Sequence, residues 1–134
     1  MPLSAEVRLL LDTHVFLWLL AEPERLGEHV DVLYDPGNQL LLSAASSWEI
    51  ALKTQIGRLE LPEDPRRYVP DRMRAIGADP LAVEHSHALA VGELPPLHRD
   101  PFDRLLVAQA RHLGLRIITA DAQVAQYDVE SLLV

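Results

Sequence analysis

HRDPFDRLLVAQA, residues 98–110, sets the reading of the whole chain. Pro101 suits the first turn of a helix, where its missing N–H is no loss, and Asp100 before it is a good N-cap. Leu105, Leu106, Val107 and Ala110 then recur at roughly helical spacing. The helix runs to about His112, with Gly114 as its stop. Asp103 stands three residues after Asp100, so the two acids lie near one face. The reading is that Asp103 holds a divalent metal, helped by acids distant in sequence.

Outward from this helix, strand-like and helix-like segments alternate. Val7–Leu11 (VRLLL), Gln39–Leu42 (QLLL) and Leu115–Thr119 (LRIIT) are short apolar runs, the mark of largely buried strands. Asp79–Val83 is a further short strand, and Val129–Val134 an edge strand. Thr13 can cap a helix that Pro23 breaks, and Glu24–Tyr34 follows as a second, amphipathic one. Asp35-Pro36-Gly37-Asn38 is a turn. Ser43 caps a helix over Ala44–Gln55 that Gly57 closes. Pro65–Ile76 is a helix made irregular by Pro70, His85–Val91 a short helix, Leu94–His98 a stiff loop and Ala122–Tyr127 a helical turn. This succession predicts an α/β sandwich with a mostly parallel sheet. Val15–Ala21 is apolar almost all round, so its outer face calls for a partner surface.

Composition narrows the function. With 134 residues, 49% of them hydrophobic, the chain suits one domain, residues 1–134, around a single core. Cysteine is absent, which excludes disulfides, thiolate metal sites and cysteine nucleophiles. No apolar run is long enough to span a bilayer, and Asp12, Thr13 and His14 interrupt the N-terminal one. No basic residue precedes Arg8, so a leader is not expected and a cytoplasmic location is. A net charge of −8 argues against broad electrostatic binding of nucleic acid. It is compatible with a nuclease whose carboxylates are neutralised by metal. Lys53 is the only lysine; the remaining basic residues are arginines.

In open parallel sheets, sites form beyond the carboxyl ends of the strands. Asp12 directly follows the first strand and Asp121 lies two residues past LRIIT. Glu49 and Asp103 sit in helices that can open on the same edge. Hard oxygen ligands without cysteine select Mg²⁺ or Mn²⁺ over zinc. Each acid also has a plainer role. Asp12 can simply cap the next helix, Glu49 and Lys53 can form a surface ion pair four residues apart, and Asp103 and Arg104 can be solvated helix-start charges. Asp121 can be a turn residue. Thr13 and Thr119 are placed to orient carboxylates. His14, His85 and His87 read as structural, and His98 as a loop hydrogen-bonder. Trp18 and Trp48 read as core or interface. Arg66, Arg67, Arg72 and Arg74 read as a solvated face.

LLLDTHVFLWLL, SAASSWEIALKTQIGRLEL, HRDPFDRLLVAQA and LRIITAD, between Leu9 and Asp121, together resemble the signature segments of PIN-domain ribonucleases, most of all the VapC-type toxins of toxin–antitoxin pairs. The resemblance implies a three-layer α/β/α PIN fold, Mg²⁺ or Mn²⁺ dependence and cleavage of RNA. It also implies a homodimer and inhibition by an antitoxin whose tail enters the groove. The family's acidic quartet carries over as Asp12, Glu49, Asp103 and Asp121, with Asp100 a secondary acid. Two other classes compete. A phosphatase-like hydrolase would use Asp12 as nucleophile, but the second Asp it needs two residues on is here His14. A PIN-like module that only docks a partner is the other.

Overall fold

The computed structural model describes residues 7–134, so the expectation of no leader rests partly on residues 1–6, outside the described residues. Five strands form one sheet: β1 (Val7–Leu11), β2 (Asn38–Ser43), β3 (Ala78–Leu81), β4 (Arg116–Thr119) and β5 (Ser131–Leu133). Their order is β3-β2-β1-β4-β5, and every pairing is parallel. Six α-helices accompany them: α1 (Thr13–Ala21), α2 (Val30–Leu33), α3 (Ala44–Gln55), α4 (Pro65–Ile76), α5 (His85–Ala90) and α6 (Pro101–Leu113). Among the described residues, no helix is long and apolar enough to cross a membrane.

β1 is central because VRLLL can be buried on both faces. Successive side chains on a strand point to opposite faces. Leu9 and Leu11 enter a core with Val15, Phe16 and Leu19 of α1, Ile50 of α3, and Tyr68 and Val69 of α4. Leu10 enters a second core with Leu106, Val107 and Ala110 of α6. The sheet is therefore the middle layer of an α/β/α sandwich with two cores, where composition alone suggested one. Fully burying each of these leucines is worth about 1.5–3 kcal/mol.

The strand order places the site. The chain runs outward from β1 through β2 to β3, then returns to β1's other side as β4. The switch point falls between β1 and β4, where the connections diverge and a crevice opens beyond the strand ends. Asp12 leaves β1 there, its N–H donating to the Ile118 carbonyl at 2.9 Å.

Four local expectations need correction. Glu24–Tyr34 is not one helix: a 3₁₀ segment over Pro23–His29 precedes α2, and Gly27 (φ 55°, ψ −132°) breaks the run between them. Only glycine adopts that backbone without strain. Pro70 leaves α4 continuous. It removes only the bond to the Arg66 carbonyl, and both residues are exposed, so water can serve that carbonyl. Asp12, not Thr13, caps α1. Finally, α1 needs less of a partner than its composition suggests. Leu17 and Trp18 pack on the core, and the returning segment buries Leu26 and Leu33 in the same cluster, leaving Leu20 and Ala21 outermost.

Candidate active site

Asp12 is 4% exposed. Its Oδ1 accepts the His14 N–H at 3.0 Å, the capping bond of α1. Its Oδ2 accepts the Thr119 hydroxyl at 2.6 Å. The Thr119 oxygen in turn accepts the Asp121 N–H at 3.0 Å, so one side chain fixes the acids that follow β1 and β4. The plain reading of Asp12 as a cap and its reading as a site residue hold together. The cap uses one oxygen, and the second, held by Thr119, belongs to the crevice.

Asp100 caps α6, accepting from the N–H groups of Phe102 and Asp103 at 2.8 and 3.2 Å. Asp103 then stands in the first helical turn beside it. Asp12, Asp100, Asp103 and Asp121 line one cleft of about 500 Å³ together with His14, Trp18 and His98. Burial, with the carboxylates of Asp12, Asp100 and Glu49 nearby, pushes Asp103 up to about 7; His98 pulls the other way. Burial also works against ionisation of Asp121, but His98 and the N–H groups of Gln123 and Val124 outweigh it and lower its pKa.

Glu49 is not on that cleft. It lines an adjoining groove with Thr13, His14, Lys53 and Arg58. It is 2% exposed, so its pairing with Lys53 is not the surface ion pair that its spacing suggests. One oxygen accepts the Thr13 hydroxyl at 2.7 Å and the other takes the Lys53 ammonium. Thr13 has a single proton to give, so Ser46, 2.9 Å away, donates its own to Thr13. Both threonines thus hold carboxylates, as their positions suggested. Arg104 is not a solvated charge either: it donates to the Pro95 carbonyl at 2.9 Å and the Tyr127 hydroxyl at 3.1 Å, stapling the loop before α6.

His98 is a loop hydrogen-bonder, its N–H donating to the Tyr127 hydroxyl at 2.8 Å, and its ring also lies on the cleft. Its Nε2 is 2.8 Å from Asp121 Oδ2 and 3.2 Å from Asp103 Oδ2, and the ligand atoms of the three groups lie within 4.8 Å of one another. Asp12 and Glu49 stand outside that tight trio. His98 Nδ1 accepts the Asp100 N–H at 3.1 Å, so the ring proton sits on Nε2. In that tautomer His98 donates to Asp121 and stands beside Asp103, tying the two carboxylates together. A signal was available in the sequence: a histidine two residues before an N-cap aspartate, fixed by Pro95 and Pro96.

His14 is exposed, with its Nδ1 at 3.8 Å from Asp12 Oδ1. The Asp12 carboxylate raises its pKa against the lowering effect of burial. His87 is structural: its Nδ1 accepts the Glu84 N–H within a capping box on α5. Trp48 is not core; it is 61% exposed and stands edge-on against Phe102 at 4.8 Å. Among the basic residues read as a solvated face, Arg66 pairs with Asp64, Arg74 with Asp71, and Arg72 lies over Tyr68.

A parallel sheet with acids gathered at its switch point is the frame against which the chain was compared with known proteins. A family model for the PIN domain matches residues 9–130. The chain belongs to the PIN domain family. That span takes in all the segments, Leu9 to Asp121, on which the resemblance rested. This PIN domain is 52% identical over 64 residues to Ribonuclease VapC16 of Mycobacterium tuberculosis, covering 48% of this chain and 45% of that relative. It is 29% identical over 121 residues to Ribonuclease VapC22 of the same organism, covering 88% and 90%. The solved structure of VapBC2 from Rickettsia felis bound to a promoter DNA fragment matches with a TM-score of 0.71 at 12% identity, covering 95% of this chain and 98% of that one. At that identity the structural match speaks for the fold.

The donor set of this PIN domain fits a hard divalent cation. Asp12, Asp103 and Asp121 offer carboxylate oxygens on one open cleft, and the described residues contribute no sulfur. Crowding that holds an aspartate near neutral pH is relieved when a cation enters.

Proposed function

We propose that this PIN domain is a metal-dependent endoribonuclease that cleaves RNA phosphodiester bonds by hydrolysis. The observation that carries the reading is the meeting of Asp12, Asp103 and Asp121 at the β1/β4 switch point of a chain in the PIN family. The names of the curated relatives supply the substrate class.

Asp12 and Asp103 hold Mg²⁺ or Mn²⁺ directly. Asp121 would bind it directly or through water, and Glu49, on the adjoining groove, through water, in keeping with the waters Mg²⁺ retains. When bound, such a cation supplies an activated water and offsets charge on the phosphate and the leaving 3′ oxygen. The chain's own part is positional. Thr119 keeps one Asp12 oxygen turned to the crevice, Thr13 and Lys53 fix Glu49, and His98 steadies Asp103 and Asp121. No side chain has to act as nucleophile.

The chain works as a homodimer, and an antitoxin protein is its physiological inhibitor. The VapBC2 neighbour, the VapC names of the relatives and the sequence resemblance support the antitoxin. The test is incubation of the purified protein with single-stranded RNA and MnCl₂, against an EDTA control and the Asp103→Asn variant. Manganese-dependent fragments that vanish in both controls support the reading. Phosphate release from small esters, with RNA left intact, would instead support the phosphatase-like alternative. Co-expression with the product of the neighbouring reading frame, scored by growth, tests the antitoxin.

A further inference from the structure

Building on the ribonuclease reading, we propose that the groove between α1 and α3 binds the backbone phosphate of the RNA strand adjacent to the one in the acidic cleft, with Arg58 as its cation. The groove has a volume of about 240 Å³, and Leu17, Ile50 and Leu59 supply its apolar lining. His14 borders both this groove and the acidic cleft, so a strand leaving the cleft over His14 enters the groove next.

Charge makes such a subsite necessary. The chain carries −8, and the cleft that receives the scissile phosphate is lined by acids. A polyanion held there needs cationic contacts close by, because phosphate contacts dominate nucleic-acid affinity. In the other arginine cluster, Arg66 and Arg74 are paired with aspartates and Arg72 covers Tyr68. Arg58 forms no ion pair with the carboxylates of the described residues.

Arg58 is also held in place. Gly57 (φ +76°) turns the chain at the end of α3, and the N–H groups of Arg58 and Leu59 return to the Lys53 carbonyl at 2.9 and 3.2 Å. Residue 58 is therefore knotted back onto the last turn of α3. A guanidinium matches two phosphate oxygens at once. Between cleft and groove, the His14 ring lies against Trp18 with 5.9 Å between centroids. That gives the strand an aromatic ridge for a base between two phosphates.

The test is fluorescence anisotropy of a labelled single-stranded RNA oligonucleotide across a salt series, comparing wild type with Arg58→Ala and Arg58→Lys. Arg58→Ala should bind about tenfold more weakly, and its slope of log K against log salt should be shallower by about 0.7. Arg58→Lys should recover most of both. Mn²⁺ affinity by calorimetry should match wild type in both variants, because Arg58 is outside the acidic cleft. Unchanged RNA affinity and salt slope in Arg58→Ala overturns the subsite, and so does a loss of Mn²⁺ binding. If wild type binds RNA yet leaves it uncut, the ribonuclease reading fails while Arg58→Ala still decides the groove. If wild type binds no RNA, both fall.

Discussion

The hydroxyl of Thr119 donates to the Asp12 carboxylate over 2.6 Å, joining residues 107 positions apart in the chain. The bond is buried, and its oxygen also accepts the Asp121 N–H. Replacing Thr119 by Val keeps the shape and removes both contacts. Unfolding by urea should show a loss of about 1–3 kcal/mol. Mn²⁺ affinity should fall by about 10–100-fold, since the group that orients Asp12 is gone. Thr119→Ser should restore both. Wild-type Mn²⁺ affinity in Thr119→Val would remove Thr119 from any role in the site.

Asp12→Asn and Asp103→Asn separate chemistry from fold. Asn is nearly isosteric, Asn at position 12 still caps α1, and Asp100 still caps α6, so both helices should form and far-ultraviolet circular dichroism should match wild type. Manganese-dependent RNA cleavage should drop below detection in each, because a neutral amide is a poor substitute for a hard anionic ligand. Full activity in either variant sinks the assignment of that residue.

The metal-free protein should grow less stable as pH rises from about 4 to about 7. Asp103 ionises near 7 in the folded chain and near its ordinary value when unfolded, so the folded state holds the extra proton in that window. Where the native state binds more protons, raising pH favours unfolding. Asp121 acts in the opposite sense and lower down: its carboxyl is depressed, so its contribution is present above its ordinary pKa and lost as pH falls below it. Saturating Mn²⁺ should flatten the upper slope and raise the melting temperature, because a bound cation replaces the proton. Melting curves between pH 4 and 8, with Mn²⁺ and with EDTA, check both signs. A metal-free protein whose stability is flat or rising from 4 to 7 contradicts the crowding at Asp103.

Gln109 gives a prediction away from the cleft. It is fully buried in α6, accepts the Ser43 hydroxyl at 2.6 Å and donates to the Ala82 carbonyl at 3.1 Å. Ser43 caps the helix that carries Glu49, and Gln109 lies on the helix that carries Asp103. Gln109→Leu should cost about 1–3 kcal/mol in urea unfolding by stranding the buried Ser43 hydroxyl. Leu10→Ala, in the same core, should cost about 2–5 kcal/mol. A near-neutral Gln109→Leu would mean that the network does not brace the two helices.

Local chemistry made much of the chain legible in advance. VRLLL, QLLL and LRIIT read as buried strands because each is a short apolar run. Ser43 and Asp100 read as caps because their oxygens reach N–H groups two residues on. Gly27 was harder to place. A helical charge pattern surrounds it, and only its positive φ in the folded chain reveals the break. Pro70 misled in the other direction, because the cost of a proline depends on whether water can reach the freed carbonyl.

By itself the sequence determined the alternation of strands and helices, and which acids stand at the ends of those elements. These follow from side-chain periodicity and from hydrogen bonds spanning two or three residues. Only the tertiary structure decided that Glu49 lies on a neighbouring groove with Lys53, and that His98 stands between Asp103 and Asp121. It alone set the two faces of β1 against two separate cores. Those facts depend on strand order, because which element packs beside which is fixed by burial across the whole sheet and leaves no trace in local spacing.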